Sequence, residues 1–132
     1  QHGEFVYCHN GTIKKEIKYN KDKFKPIGNT DSEQLFYSIL SKDLPIQKAI
    51  KKTFDGIELK PNSNIILSNK EKTYIYSSYR TLPNYLQMYV GKGENVIVIS
   101  SEKIPQLNGE WNKLPFETVI EINNNTLEII QH

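Results

Sequence analysis

The chain has 132 residues, 37% hydrophobic and 24% charged, and its eight Tyr and five Phe supply bulky core material. That length suits one domain, and that composition excludes wholesale disorder. A formal charge of +2, with lysines interleaved among Asp and Glu, excludes a nucleic-acid partner, and no apolar run approaches the roughly 20 residues of a membrane helix.

The single cysteine, Cys8, rules out an internal disulfide framework and leaves no ligand cluster for zinc, so no metal and no cofactor is expected. Without a signal peptide or paired cysteines, the expected location is cytoplasmic. The sequence starts at Gln1 rather than Met, so the expectation is that an upstream segment was removed, cleaved or left out.

Along the chain, residues 4–8 form an aromatic and β-branched run followed by His9-Asn10-Gly11-Thr12, and the Asn-Gly pair predicts a strand that ends in a tight turn. Residues 13–29 are Lys-rich and interrupted by Pro26 and Gly28, which predicts a surface loop long enough to cover a site. Thr30-Asp31-Ser32-Glu33 matches a capping box and predicts a helix start. Leu35, Phe36, Ile39 and Leu40 then give that helix its apolar stripe, with Gln34, Ser38 and Ser41 facing elsewhere. A second helix is predicted from Pro45 at its first position, with Ile46, Ala49, Ile50 and Phe54 buried and Gly56 as the stop.

Beyond Pro61 the hydrophobic period shortens to two. Strands are predicted at residues 65–68, 73–79, 85–90, 95–100, 118–122 and 127–130, forming an antiparallel meander. Helices followed by a run of strands place the chain in the α+β class. Gly91-Lys92-Gly93 reads as a hairpin turn rather than a phosphate cradle, because the longer Gly-rich spacing and a following helix are missing.

Two motifs carry chemistry. A side-chain amide and a backbone N–H at Asn10-Gly11 can point at one developing oxyanion, although an ordinary hairpin turn is the better account of the pair when it is read alone. Asp31 stands at a helix start where Thr30 is the more natural cap, which leaves its carboxylate for a ligand ammonium group. Cys8 neighbours His9, but adjacent side chains of an extended segment point to opposite faces, so the two cannot form a thiolate–imidazole pair. Cys8 is expected to be a small core residue. His2 and His132 have no evident partners, and Trp111 reads as a packing anchor on a loop.

The run Phe5-Val6-Tyr7-Cys8-His9-Asn10-Gly11-Thr12, followed by Gly28-Asn29-Thr30-Asp31-Ser32-Glu33-Gln34-Leu35-Phe36, resembles class II glutamine amidotransferases, especially the small stand-alone type. Ile99-Ser100-Ser101-Glu102 and Gly109-Glu110-Trp111-Asn112-Lys113-Leu114-Pro115 are similar to that family's late strand, Trp-containing loop and final hairpin. The resemblance implies the N-terminal-nucleophile hydrolase fold, with two antiparallel sheets between layers of helices (αββα), here incomplete at its N-terminus. Residues 1–132 would be a single domain, the C-terminal portion of a type 2 glutamine amidotransferase domain. The resemblance further implies L-glutamine as ligand, Asn10 and Gly11 as the catalytic oxyanion hole, and Asp31 as holder of the glutamine α-amino group. His9 matches a family position and is counted with Asp31 as substrate-binding, a structural hydrogen-bonding role staying open beside it.

One departure matters as much as the likeness. Enzymes of this family use an N-terminal Cys as nucleophile and an Arg shortly after it for the substrate carboxylate; Gln1 carries no nucleophilic atom, and no such Arg precedes Phe5. The expectation is a glutaminase domain that is inactive as this chain alone and exposes a cut sheet edge to a missing segment or a second copy. The alternative is a non-catalytic amino-acid-binding or protein-interaction module on the same scaffold.

Overall fold

The computed structural model describes residues 2–132. Gln1, and with it the statement about its side chain, lies outside the described residues. Eleven elements follow in chain order. They are β1 Val6–Thr12, α1 Asp31–Leu40, α2 Ile46–Asp55, β2 Asn62–Ser68, β3 Lys72–Ser78 and α3 Pro83–Leu86, then β4 Tyr89–Lys92, β5 Ile97–Ser100, β6 Glu110–Lys113, β7 Ile120–Asn123 and β8 Ile129–Gln131.

The strands form two antiparallel sheets rather than one meander: a five-stranded sheet of order β1-β2-β3-β7-β8 and a three-stranded sheet of order β5-β4-β6. Strand pairing sets which side chains share a face. Tyr7 and His9 on β1 lie opposite Leu67 and Ile65 on β2, which in turn lie opposite Tyr74 and Tyr76 on β3. This face packs against Leu35, Phe36 and Ile39 of α1 and Ile50 and Phe54 of α2, all buried. The other face presents Ile75, Ile120 and Ile122, which pack with Met88, Val90 and Leu114 from the second sheet and its flanks. The layers are therefore helices, five-stranded sheet and three-stranded sheet, and each fully buried aliphatic side chain contributes about 1.5–3 kcal/mol of transfer free energy.

Several expectations are corrected. Asn10-Gly11 is not a turn: β1 runs straight through it, with Asn10 opposite Asn64 and Gly11 opposite Ser63, because pairing with β2 supplies partners that a turn would forfeit. The loop of residues 13–29 lacks helix and strand as expected, but it buries Ile13, Ile17 and Phe24 in the helix-side core, so it is anchored rather than draped. Ser38 is buried, its hydroxyl too small to keep α1 from closing on its neighbours. Pro45 is the N-cap of α2 rather than its first residue. The predicted strand at 85–90 splits into the short helix α3, started by Pro83, and β4. Trp111 lies on β6, half-buried, opposite Gly91 on β4, and a Cβ at Gly91 would come within 2.8 Å of its ring. The turn expected near Gly93 is present, closed by a Gly93 N–H to Val96 O bond of 2.9 Å. His132 does have a partner: its Nε2 meets the buried carboxylate of Glu121 at 2.9 Å. No helix among the described residues is long and apolar enough to cross a membrane.

Candidate functional site

β1 is an edge strand among the described residues, so alternate backbone N–H groups along it point away from β2. Its side chains alternate across the sheet, Tyr7, His9 and Gly11 toward the helices and Val6, Cys8 and Asn10 toward the opposite face. Toward the helices the Tyr7 ring stacks on Phe36 with centroids 4.9 Å apart. His9 is held at both ring nitrogens, Nδ1 meeting Ser32 Oγ of α1 at 2.8 Å and Nε2 meeting Ser63 Oγ of β2 at 2.7 Å. Burial lowers its pKa below the ordinary histidine value, against a smaller opposing pull from the Asp31 charge. A neutral imidazole with one donating and one accepting nitrogen suits two hydroxyl partners.

The start of α1 is built as the sequence predicts at its cap and differently at its acid. Thr30 Oγ1 accepts from Glu33 N at 3.2 Å. Glu33 does not complete the capping box. Its carboxylate accepts from Ile27 N at 2.8 Å and Gly28 N at 2.9 Å, which lowers its pKa and fastens the end of the long loop to the helix. With Thr30 as cap, Asp31 points back at β1. Its Oδ2 accepts from Ile13 N at 2.6 Å and its Oδ1 from Ser32 N at 2.8 Å. An ionised carboxylate offers about four acceptor positions, so these two N–H groups leave capacity for an ammonium donor.

Asn10 and Gly11 line a cleft of about 450 Å3 at the end of β1, together with Ile13, Asn62, Arg80 and Leu86. Asp31 is not among the residues that line the cleft, but its carboxylate accepts the N–H of Ile13, which does line it. The structure thus joins His9, Asp31, Ser32 and Ser63 into one hydrogen-bonded group and leaves Asn10 on the opposite face of the strand. Asn10 is exposed, and its amide makes no hydrogen bond among the described residues. Gly11 has φ +153°, and an added Cβ would lie 2.3 Å from Asn62 O and 2.9 Å from His9 Nε2. Only glycine allows β1 and β2 to approach this closely.

Cys8 is exposed rather than buried, because it lies on the outward half of an edge strand that the second sheet does not cover. Sequence reasoning missed Tyr7, Ser32, Ser63 and Asn64. Their alternation with His9 and the Thr30 cap were readable, but which strand would pair with β1 was not. Two of these leave buried polar atoms without partners, Tyr7 Oη and Asn64 Oδ1, and Ser77 Oγ does the same. The Tyr7 hydroxyl pKa is raised far above its ordinary value by burial and then by the Cys8 and Asp31 charges, so it remains a neutral donor. Among the described residues no group of three or more His, Cys, Asp or Glu is arranged to hold a metal ion.

The family model for class II glutamine amidotransferases matches residues 1–85. No curated protein sequence matches the chain. Among solved structures, a predicted glutamine amidotransferase from Pseudomonas aeruginosa superposes with a TM-score of 0.70 at 15% identity, over 96% of this chain and 59% of that one. A glutamine aminotransferase class-II domain protein from Silicibacter pomeroyi gives 0.71 at 18% identity, over 98% and 67%. The glutamine phosphoribosylpyrophosphate amidotransferase from B. subtilis, complexed with ADP and GMP, gives 0.72 at 15% identity over the whole of this chain and 30% of that one. At these identities the likeness is one of fold, the N-terminal-nucleophile hydrolase arrangement of helices and antiparallel sheets. The chain spans 59% of the first of these structures and 30% of the last.

Proposed function

Because this chain belongs to the class II glutamine amidotransferases, we propose that it supplies the glutamine pocket and the oxyanion hole of a glutaminase site. In this reading the Asn10 side-chain amide and the Gly11 peptide N–H receive the oxyanion that forms when a thiolate attacks the glutamine amide carbon. Asp31 holds the α-ammonium group. His9 borders the bound substrate and, through Ser32 and Ser63, keeps the two motifs at a fixed spacing. Collapse of the tetrahedral intermediate releases ammonia and leaves a thioester that water hydrolyses to glutamate.

The supporting observation is that the two motifs meet. Asp31 Oδ2 binds the N–H of Ile13, two residues past Gly11, while Ser32 binds the ring of His9, immediately before Asn10. The only thiol in the sequence is Cys8, exposed and on the other face of β1 from His9. In this reading the nucleophile is a thiol other than Cys8, and the 132 residues alone are catalytically silent. The test joins an upstream Cys-initiated segment to the chain and measures ammonia release from glutamine. Release by the joined protein and none by the chain alone is expected; no release by the joined protein, or full activity of the chain alone, rejects the reading.

A second reading, a non-catalytic binding or interaction module, is favoured by one observation. Val6 is 57% exposed on the edge strand β1, offering a partner strand both apolar contact and free N–H groups. Calorimetry separates the two, since absence of glutamine binding by the chain and by the joined protein alike favours the interaction module.

A further inference from the structure

A row of three polar side chains crosses the face of the large sheet that carries Asn10. Asn10 on β1 lies opposite Asn64 on β2, and Asn64 lies opposite Ser77 on β3. Directly opposed residues of an antiparallel pair hold their Cβ atoms about 4.5–5.5 Å apart, within reach of a side-chain hydrogen bond. Asn64 and Ser77 are 6% and 2% exposed, and Asn64 Oδ1 and Ser77 Oγ are buried without a partner. Buried polar atoms of native proteins are nearly always paired, so a buried amide oxygen calls for a donor beside it. The Asn10 side chain is exposed and offers two amide protons that no other described residue accepts. It is the one side chain of the row that lines the cleft.

We propose that Asn64 is a positioning residue for Asn10: neither amide is bonded to the other in this structure, and a turn of the exposed Asn10 side chain brings one Nδ2 proton to the buried Asn64 Oδ1 and aims the other into the cleft. The Ser77 hydroxyl, likewise without a partner here, is the donor on the other side that can turn to the second lone pair of the same oxygen. An amide that is to stabilise an oxyanion must present its nitrogen rather than its oxygen, and a free Asn side chain on an edge strand samples both orientations. An acceptor fixed beside it removes that ambiguity before substrate arrives, which is where preorganised donors gain their effect. The functional half of this proposal rests on the glutaminase reading of Asn10; the hydrogen bond itself does not.

Two measurements separate those parts. In the 132-residue chain, one Asn10 Nδ2 proton is expected to exchange with solvent about tenfold more slowly than those of exposed Asn side chains, and Asn64→Ser is expected to remove the difference. Unprotected Asn10 protons, or protection that survives Asn64→Ser, overturn the proposal, the latter showing that water or backbone is the acceptor. In the protein joined to its Cys-initiated segment, Asn10→Ala is expected to lower kcat about 10²–10³-fold. Asn64→Ala should lower kcat about tenfold with KM unchanged, and the double variant should fall no further than Asn10→Ala alone. Losses that multiply mean that Asn64 acts independently of Asn10, which overturns the proposal. If Asn64→Ala does not fold, Asn64→Ser serves in the same cycle. A silent Asn10→Ala defeats the glutaminase reading instead, and proton exchange then decides the Asn64–Asn10 bond by itself.

Discussion

The peptide N–H of Ile13 donates to the carboxylate of Asp31 over 2.6 Å, and this bond ties the exit of β1 to the first residue of α1. The two lie 18 positions apart in the chain, and most of the intervening residues form the anchored loop that Ile17 and Phe24 hold in the core. The bond directs the carboxylate at the strand, and it leaves room on both oxygens. That is the environment an ammonium ligand requires, and it gives Asp31 a structural duty beside its proposed binding one.

The two duties separate in Asp31→Asn. The amide keeps one oxygen for Ile13 N–H and nearly the same shape, so the melting temperature should move little. Glutamine affinity, measured by calorimetry or as KM in the joined protein, should fall about 10- to 100-fold because the charge-assisted bond to the α-ammonium is lost. An unchanged affinity removes Asp31 from the glutamine site.

His9 gives a pH dependence with a definite sign. Its folded pKa lies below the ordinary value, chiefly through burial, so on acidification the unfolded state takes up the proton first. Stability is then full above about pH 6.5 and declines as the pH falls from there toward the lowered folded value. Urea midpoints of wild type and His9→Gln, compared between neutral and mildly acidic pH, should converge as the pH drops. Parallel curves mean that His9 titrates alike in both states.

Gly11→Ala should be strongly destabilising. The new methyl group would overlap Asn62 O and crowd His9 and Ser63, so β1 must move away from β2 at a cost of about 1–3 kcal/mol or more. Chemical denaturation reads the cost. A loss below about 0.5 kcal/mol, the range of ordinary surface changes, would show that the strands separate without penalty.

Glu121 is buried between Lys72, 2.5 Å from its Oε1, and His132, 2.9 Å from its Oε2. Burial raises its pKa, but the bonds to Lys72 and His132 outweigh that and hold it below the ordinary carboxylate value. A lowered folded pKa means stability that is present above the ordinary carboxylate range and is lost as the pH falls through the folded value. Glu121→Gln should therefore cost about 1–3 kcal/mol at neutral pH. Its thermal melting curve should approach that of the wild type in acid; a gap that persists there contradicts the assignment.

Cys8 is exposed on the outer half of β1. A thiol reagent should modify one group per native chain without denaturant, and Cys8→Ser should leave glutamine binding and, in the joined protein, ammonia release unchanged. Protection in the native chain would mean that a second copy or another segment covers the edge strand.

The class and the likeness were legible in order and spacing: a capped helix at Thr30, apolar stripes on two helices, a late run of strands, and two short motifs in family register. These are local signals, fixed by hydrogen bonding within a turn and by the period of apolar side chains. What the sequence could not decide was everything that depends on which strand lies beside which. Asn10-Gly11 has the composition of a turn, yet it is extended because β2 lies alongside it, and Cys8 has the composition of a core residue, yet it is exposed because nothing described covers β1. The turn of Asp31 toward Ile13 and the grip of Ser32 and Ser63 on His9 join residues far apart in sequence, and strand register aligns Asn10, Asn64 and Ser77 in one row. Tertiary packing alone sets such contacts, because chain connectivity carries no information about which distant segments come to lie side by side.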